Sequence, residues 1–427
     1  MNTQLSHAEA LSHPASKKQI SKERRIMLIL SLCMALQMTG FVMILPLFAR
    51  RFSEFGAGVE ILGTSVMAGA LAGTLTAPFM GAMADRFGRR LLVLGSLAVY
   101  VLTFTGYLFA SSAQAFILLR ALAGAFTAGL VPAVFGIVAD LSPVDRRAQW
   151  IGIVSGGASF GWIAGPILGG LFYDRWGYKT AISVSILMGI VTFLIAFFIV
   201  PETRMAVGSL EKDTGHTAPG YKSRNLKFAW ENFRAALPPP LPAFVALLCI
   251  SFAVMFAWAF IEPSFMFYAY DDLGWTSSML GLVMSTYGVA MMLGEFGLSH
   301  LSDRLGRKPV IIVGVILFAA QFIGLAIFRN YIWISVSFVV AGLGNSLFDP
   351  ALSASVLDMT SSEHQARIQG IKTTSSSLGN ILGPALAVVL APYLSAPAIF
   401  LLAVSAVLFT TIIGIFVPME RAKSASH

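Results

Sequence analysis

The stretch GAMADRFGRR, residues 81–90, decides the fold because the chain contains it twice. Residues 299–308, SHLSDRLGRK, repeat its Asp-Arg-x-Gly-Arg core after an offset of 218 positions. The same offset relates other prolines, acids and a Gly-x-x-x-Gly-Pro motif, namely Pro132 and Pro350, Asp140 and Asp358, and residues 161–166 and 379–384. One constant shift over most of the chain predicts a duplicated structural unit.

The composition predicts an all-α integral membrane protein. The 427 residues are 56% hydrophobic and 12% charged, whereas a soluble domain carries about 25% charged residues. A membrane-spanning helix needs about 20 apolar residues. Twelve such stretches are present, near residues 27–49, 61–83, 91–110, 114–140, 150–172, 179–200, 241–263, 278–301, 309–328, 331–357, 368–392 and 397–417. We therefore expect twelve transmembrane helices in two pseudo-symmetric six-helix bundles.

The distribution of basic residues predicts the orientation. With an N-terminus in the cytoplasm, 23 of the 29 Lys and Arg residues lie on the cytoplasmic side, five lie outside and Arg120 lies in a span. This excess follows the positive-inside rule, so we expect both termini in the cytoplasm of a bacterium, with the bundle in its inner (plasma) membrane. The net charge of +8 is explained by this anchoring to the lipid bilayer, so no nucleic acid partner is predicted.

The domain organisation follows from the spans. We expect a cytoplasmic tail (1–26), an N-terminal bundle (27–200), a cytoplasmic linker (201–240), a C-terminal bundle (241–417) and a second tail (418–427). Within the linker, apolar residues around 226–237 share one helical face. This pattern fits either a short amphipathic helix on the membrane surface or a disordered linker, and the sequence leaves both open.

The chain resembles the major facilitator superfamily. The loop motif of residues 81–90 is similar to that superfamily's signature between spans two and three. GWIAGPILGG, residues 161–170, resembles the span-five signature of its drug:proton antiporter branch, and residues 118–124 and 40–46 resemble that branch's span-four and span-one motifs. The resemblance implies a monomeric transporter of small molecules that alternates between two states by rocking its two halves. Ser299 replaces Gly81 in the second motif copy, so we expect looser packing there.

The resemblance also implies that the two loop motifs act as a conformational latch. An acid that ends a helix can pair with a guanidinium and accept backbone N–H groups of a neighbouring helix. Plain topology explains the arginines as well, but not the acids or glycines. The predicted latch residues are Asp85, Arg86, Gly88 and Arg89 in the first copy and Asp303, Arg304, Gly306 and Arg307 in the second.

Span five carries a glycine stripe, which we define as Gly157, Gly161, Gly165 and Gly169 together with Pro166. Small residues at every fourth position let another helix approach closely, and an interior proline kinks the helix. The stripe fits either static packing or a sliding interface between the two halves. The likeness to the antiporter signature favours the sliding interface.

Four charges within spans are candidates for proton coupling, since a charge at a helix centre costs roughly 2.5–3.5 kcal/mol. Arg120 in span four and Glu262 in span seven have similar depth and are predicted to meet across a central cavity. Asp349 in span ten precedes Pro350 and is the hardest to explain otherwise. Glu262 also fits an interfacial residue, and Glu295 fits a member of the loop latch. Acids in a partly dry cavity exchange protons closer to neutral pH than acids in water.

The predicted substrate cavity is aromatic and rich in methionine, which suits lipophilic and often cationic molecules. Lipid-facing positions would explain many of the same aromatics. The cavity residues that we predict are Gln37, Phe41, Trp258, Tyr268 and Tyr287.

The sequence favours a proton-coupled antiporter that exports lipophilic or amphipathic small molecules and uses protons as its second substrate. No nucleotide-binding, metalloprotease or nucleophile-elbow motif is present, so we expect no cofactor, no metal site and no enzymatic activity. The alternatives are a proton symporter that imports a sugar or another metabolite, and an exporter of a lipid or biosynthetic product. A non-transporting sensor would not need the loop motif in both halves.

Overall fold

The computed structural model describes residues 14–143, 146–203, 240–298, 301–360 and 364–416, without the side chains of 14–23, Asp85, Ala148, Asp303 and Ala366. These residues form long helices. In chain order the helices are Pro14–Met43, Leu45–Glu54, Val59–Phe87, Arg89–Phe109, Ala113–Thr127, Leu130–Leu141, Arg147–Ile199, Leu241–Phe267, Ser277–Leu298, Leu301–Leu305, Arg307–Phe318, Ala320–Ile327, Tyr331–Asp358, Gln365–Leu390 and Ala396–Phe416, with a π-helical turn at Tyr268–Asp272.

The described chain has eleven apolar helical stretches long enough to cross a membrane. The longest, Arg147–Ile199, contains Gly177 with φ 79° and ψ 178°, which a helix does not allow. Gly177 therefore divides this stretch into spans five and six, and the total agrees with the twelve predicted spans. Spans one, four and nine each consist of two helices separated by a short break. Span one begins at Pro14, so its helix includes part of the predicted tail.

Equivalent contacts in the two halves support the internal repeat. Arg90 Nη2 donates to the Phe197 carbonyl at 2.6 Å, which ties span three to the end of span six. Lys308 Nζ donates to the Ile415 carbonyl at 2.7 Å. Both residues of this second contact are offset by 218 positions from those of the first. The offset that relates the sequences thus also relates their tertiary contacts.

The glycine stripe packs against span one of its own half. A Cβ atom at Gly157 would meet Ser31, one at Gly161 would meet Met38, and one at Gly169 would overlap the Met43 carbonyl. For the four glycines, the prediction that this stripe forms the interface between the halves was therefore wrong. The physical reason is that span five presents two faces, and the stripe occupies the face toward span one.

The interface between the halves uses the neighbouring face of span five and the start of span eight. Ser285 Oγ donates to the Ile163 carbonyl at 2.6 Å. Gly281 lies against the Pro166 backbone, and Gly170 lies against the Ser277 backbone. Pro166 thus does reach the opposite half, although the four glycines of the stripe do not.

The two ends of the bundle differ, and we call them the motif end, where residues 85–90 and 303–308 lie, and the distal end. At the distal end, spans two and eleven touch through Gly63 and the Pro384 carbonyl. At the motif end, no described residue packs against the glycines of spans two, five, eight and eleven, which are Gly81, Gly152, Gly297 and Gly370. We infer that the halves are closed distally and separated at the motif end.

The distal closure is strengthened by polar contacts. The Asp174 carboxylate accepts the backbone N–H groups of Ser277 and Ser278 at 3.1 and 2.7 Å. It therefore caps the first turn of span eight from the opposite half. Tyr270 donates its hydroxyl to the Pro46 carbonyl at 2.9 Å, and Arg50 lies 4.2 Å from the Tyr270 ring centroid.

The predicted amphipathic segment around residues 226–237 lies outside the described residues, as do most of the linker and the C-terminal tail.

Candidate transport site

The loop motifs have the same backbone form in both halves. Gly88 has φ 99° and Gly306 has φ 92°, a region that L side chains rarely adopt. Each glycine ends one helix and begins the next, so the following arginine lies in the first turn of span three or span nine. The motif glycine is thus required by the tight helix-to-helix turn.

The last arginine of the Asp-Arg-x-Gly-Arg core pairs, in each half, with an acid at the motif end of the following span. Arg89 Nη1 lies 2.5 Å from Asp140 Oδ2 and also donates to the Gly136 carbonyl. Arg307 Nε lies 3.2 Å from Asp358 Oδ2. Both ion pairs remain within one half, where they fix the ends of spans three and four and of spans nine and ten.

The structure therefore describes the arginines and glycines of the predicted latch but not the side chains of its two acids. The side chains of Asp85 and Asp303 lie outside the described structure, and those of Arg86 and Arg304 are exposed at the motif end. The described arginine pairs do not cross between the halves. A latch that closes the motif end in another state stays a prediction.

A cavity of about 870 Å³, including its open mouth, is lined by spans five, seven, eight, nine and ten. Its wall is aromatic and thioether-rich, with Trp162, Trp258, Tyr287, Phe318 and Phe338 and the methionines Met255, Met284 and Met291. The Trp258 and Tyr287 rings stack at 6.3 Å with an interplanar angle of 16°. Flat rings and flexible thioethers suit a lipophilic molecule of variable shape.

The predicted cavity residues divide into three groups. Trp258 and Tyr287 line this cavity, and their contact with substrate stays a prediction. Gln37 and Tyr268 do not. Gln37 is 2% exposed inside the N-terminal half, beside Cys33 and Leu97, while Tyr268 is 3% exposed and packs edge-on against a phenylalanine of span twelve. Placing both residues in the cavity was wrong, because helix faces cannot be assigned from composition alone. Phe41 instead packs beside Arg120.

Arg120 lies in an aromatic setting within the N-terminal half. Its guanidinium carbon is 5.4 Å from the Phe41 ring centroid and 5.5 Å from that of Phe48. Its Nη1 atom is buried and makes no hydrogen bond to the described residues, and the Tyr107 hydroxyl lies within its reach. An arginine held by rings rather than by a carboxylate retains donors for another partner.

Glu262, in the opposite half, is an acid within electrostatic reach of this arginine. It lies in span seven, one turn beyond Trp258 toward the distal end, and is partly buried. The predicted proximity of these two residues agrees with the structure, while their role in proton coupling stays a prediction.

Asp349 has a partner that the sequence analysis missed. Lys372 Nζ lies 3.1 Å from Asp349 Oδ1 and 2.5 Å from Ser353 Oγ, which joins span eleven to span ten. Lys372 was counted among the 23 basic residues on the cytoplasmic side. The residue is in fact 8% exposed within the Gln365–Leu390 helix. The sequence contained a signal for this burial, since Lys372 lies two turns into the helix and is followed by small, weakly polar residues.

Glu295 belongs with this second charged group rather than with the loop motif. It lies in span eight, one turn beyond the cavity residue Met291, and within electrostatic reach of Asp349. Its interpretation as a member of the loop latch therefore finds no support in the described contacts. The cavity is bracketed by Glu262 on its distal side and by Glu295 and Asp349 on its motif side.

Comparison with known proteins places the chain in a family. The family model described as Major Facilitator Superfamily matches residues 27–270 and 247–427, which together cover most of the chain. The chain therefore belongs to the major facilitator superfamily, as the loop motif and the repeat predicted.

Individual relatives are more distant. The chain is 25% identical over 371 residues to multidrug resistance protein 2 of Bacillus subtilis, which covers 87% of this chain and 90% of the relative. It is 27% identical over 373 residues to the class B tetracycline resistance protein of Escherichia coli, covering 86% and 88%. Among solved structures, the nucleoside transporter NupG has a TM-score of 0.73 at 14% identity and covers 91% of this chain and 98% of its own, which confirms the fold.

Proposed function

We propose that this protein is a proton-coupled antiporter that exports lipophilic or amphipathic small molecules across the bacterial plasma membrane. The observation that carries the proposal is the aromatic, methionine-rich cavity with carboxylates on both of its sides. Relatives named for multidrug and tetracycline resistance, each covering most of the chain, support export of such compounds.

The cavity composition favours a lipophilic substrate over a sugar. A sugar presents many hydroxyl groups, and a site that binds one needs several convergent polar side chains. In the described cavity wall, the side chains that carry a polar group are Asn345, Tyr287 and the two tryptophans. The Asn345 Nδ2 atom already contacts Met291 Sδ at 3.0 Å. A hydrophobic molecule is held by area and by ring stacking instead.

Proton coupling is assigned to Arg120, Glu262 and Asp349. In this scheme a proton entering from the distal end protonates Glu262, which weakens its attraction to Arg120. Asp349 accepts a proton at the other side of the cavity, where Lys372 is its ion-pair partner. Because a carboxylate cannot hold a proton and pair fully with a cation at once, protons and substrate exclude each other.

The transport cycle alternates between two arrangements of the halves. The positive-inside rule assigns the motif end and both termini to the cytoplasm. The present arrangement, separated at the motif end, then corresponds to an inward-facing state that loads substrate from the cytoplasm or the inner leaflet. The opposite state requires the distal contacts of Asp174, Arg50 and Tyr270 to break.

Everted membrane vesicles with a respiration-driven pH gradient and a fluorescent pH probe test this function. We expect some members of a panel of lipophilic cations and neutral drugs to dissipate the gradient only when the protein is present. Glu262→Gln is expected to remove this response at an equal protein level. If no compound responds and radiolabelled sugars or organic acids accumulate in whole cells instead, the proposal is wrong and the symporter alternative is favoured.

A further inference from the structure

The cavity and the Asp349–Lys372 ion pair are adjacent. Asn345 lines the cavity, and Asp349 lies one helical turn further toward the motif end on the same face of span ten. Met291 lines the cavity from span eight, and Glu295 continues that face in the same way. The ion pair and Glu295 therefore stand where the apolar wall ends.

A cavity side chain links these groups electrostatically. Tyr287, whose ring stacks on Trp258 in the cavity wall, lies within electrostatic reach of both Asp349 and Glu295. A charged group attached to a ring in the cavity would thus be within reach of the same two carboxylates. The two carboxylates therefore act electrostatically on any charged ligand in the cavity.

Lys372 reduces the net negative charge of the group formed by Glu295 and Asp349. Its side chain is 10% exposed and its ammonium group lies 3.1 Å from Asp349, whose own side chain is 58% exposed. With both acids and the lysine ionised, Glu295, Asp349 and Lys372 together carry one net negative charge. Without the lysine, the same position would carry two.

We propose that Lys372 is a specificity-determining residue that limits the cavity to ligands with a single positive charge. The proposal rests on the proposed function and refines its substrate class. A lipophilic monocation places its rings against Trp258 and Tyr287 and its charge beside Glu295. A dication brings a second charge to Asp349, which Lys372 already neutralises, so the second charge gains little electrostatic attraction there.

A purely structural ion pair would behave differently. Such a pair would affect the amount of folded protein and its thermal stability when it is broken, but it would not change the relative affinity for ligands of different charge. The ratio of two affinities, measured on the same folded sample, separates the two roles.

The experiment is competition binding on the purified, full-length protein in detergent. Radiolabelled tetraphenylphosphonium is displaced by unlabelled tetraphenylphosphonium, a monocation, or by dequalinium, a lipophilic dication. In Lys372→Met we expect the affinity of the dication relative to the monocation to rise at least about tenfold, since a partly buried site gains one unit of negative charge. Lys372→Arg is expected to keep the wild-type ratio.

A charge-balanced double variant is the matched control. Asp349→Asn combined with Lys372→Met removes both charges and leaves the net charge at minus one through Glu295. We expect its affinity ratio to stay within about threefold of the wild-type ratio, because the electrostatic attraction on a second charge is unchanged. An equal ratio in wild type and Lys372→Met, or an altered ratio in the double variant, overturns the proposal.

A second variant decides the matter if Lys372→Met yields no folded protein. Glu295→Gln brings the net charge to zero, so monocation affinity should fall at least about tenfold while neutral triphenylphosphine oxide binds as before. Unchanged monocation affinity in this variant also overturns the proposal. Because binding needs no proton gradient, a failure of proton-coupled export in vesicles is detected separately from a failure of this inference.

Discussion

Lys372 donates a hydrogen bond to Asp349 at 3.1 Å, so a nearly buried ammonium group in span eleven relies on an acid in span ten. We predict that Asp349→Asn abolishes proton-driven transport and also destabilises the protein by about 1–3 kcal/mol, because the lysine keeps its charge and loses its counter-ion. Thermal unfolding in detergent and vesicle transport measure the two effects.

The double variant Asp349→Asn with Lys372→Met separates these effects. We expect it to regain wild-type thermal stability, since no buried charge is left unpaired, but not proton-driven transport. Uphill transport by either variant would show that Asp349 does not couple protons. Equal stability of the single variant and wild type would show that the ion pair is energetically neutral.

The close approach of spans one and five predicts a position-dependent effect of alanine along span five. Gly169→Ala places a methyl group on the Met43 carbonyl, so the helices must separate, and we expect a loss of about 1–3 kcal/mol. Gly152→Ala is the control on the same helix, since nothing packs there. That substitution should be neutral or stabilising by up to about 1 kcal/mol. Equal effects at the two sites in a thermal unfolding assay would contradict the packing described.

The cap that Asp174 provides to span eight predicts a change in conformational population. Asp174→Ala removes two charge-assisted hydrogen bonds that join the halves at the distal end. A loss of about 1.4 kcal/mol shifts the equilibrium about tenfold toward the distally open state. Spin labels at Ser53 and Asp272, in a background without Cys33 and Cys249, should report a larger fraction of long distances.

Arg175→Gln is the control for this measurement. Arg175 is the exposed neighbour of Asp174 in the same helical stretch, and within the described residues it makes no hydrogen bond to span eight. We expect its distance distribution to match that of the wild type. If Asp174→Ala and Arg175→Gln give the same distribution, Asp174 does not hold the distal end closed.

The Arg89–Asp140 pair predicts rescue by charge reversal. Arg89→Asp places two acids together at the ends of spans three and four and should lower the amount of folded protein in the membrane. Adding Asp140→Arg restores an opposite pair and should recover at least half of the loss. Immunoblots of membrane fractions measure this, and the absence of any rescue would show that the arginine acts through the Gly136 carbonyl alone.

The sequence predicted the spans, the repeat and the superfamily because each depends on patterns that are local or exactly repeated. Apolar length sets a membrane span, and the tight turn at Gly88 and Gly306 requires glycine in both halves. The proximity of Arg120 and Glu262 was predictable as well. Both charges lie at a similar depth along their spans in the sequence.

The sequence did not predict which surfaces meet, because a small-residue face fits any close neighbour. The glycines of span five pack on span one instead of on the opposite half, and Gln37 faces the interior of its own bundle. Lys372 was missed for a related reason. A lysine near the end of a span is usually a topology signal, and only the tertiary structure brings it to Asp349.

The most direct test of proton antiport uses purified protein in liposomes, with the membrane potential clamped and a pH gradient imposed. We predict that tetraphenylphosphonium moves against its own concentration gradient into the acidic compartment, and that Glu262→Gln and Asp349→Asn with Lys372→Met do not support this movement. Transport that only equilibrates the compound, or that is unaffected by collapse of the pH gradient, would contradict the account.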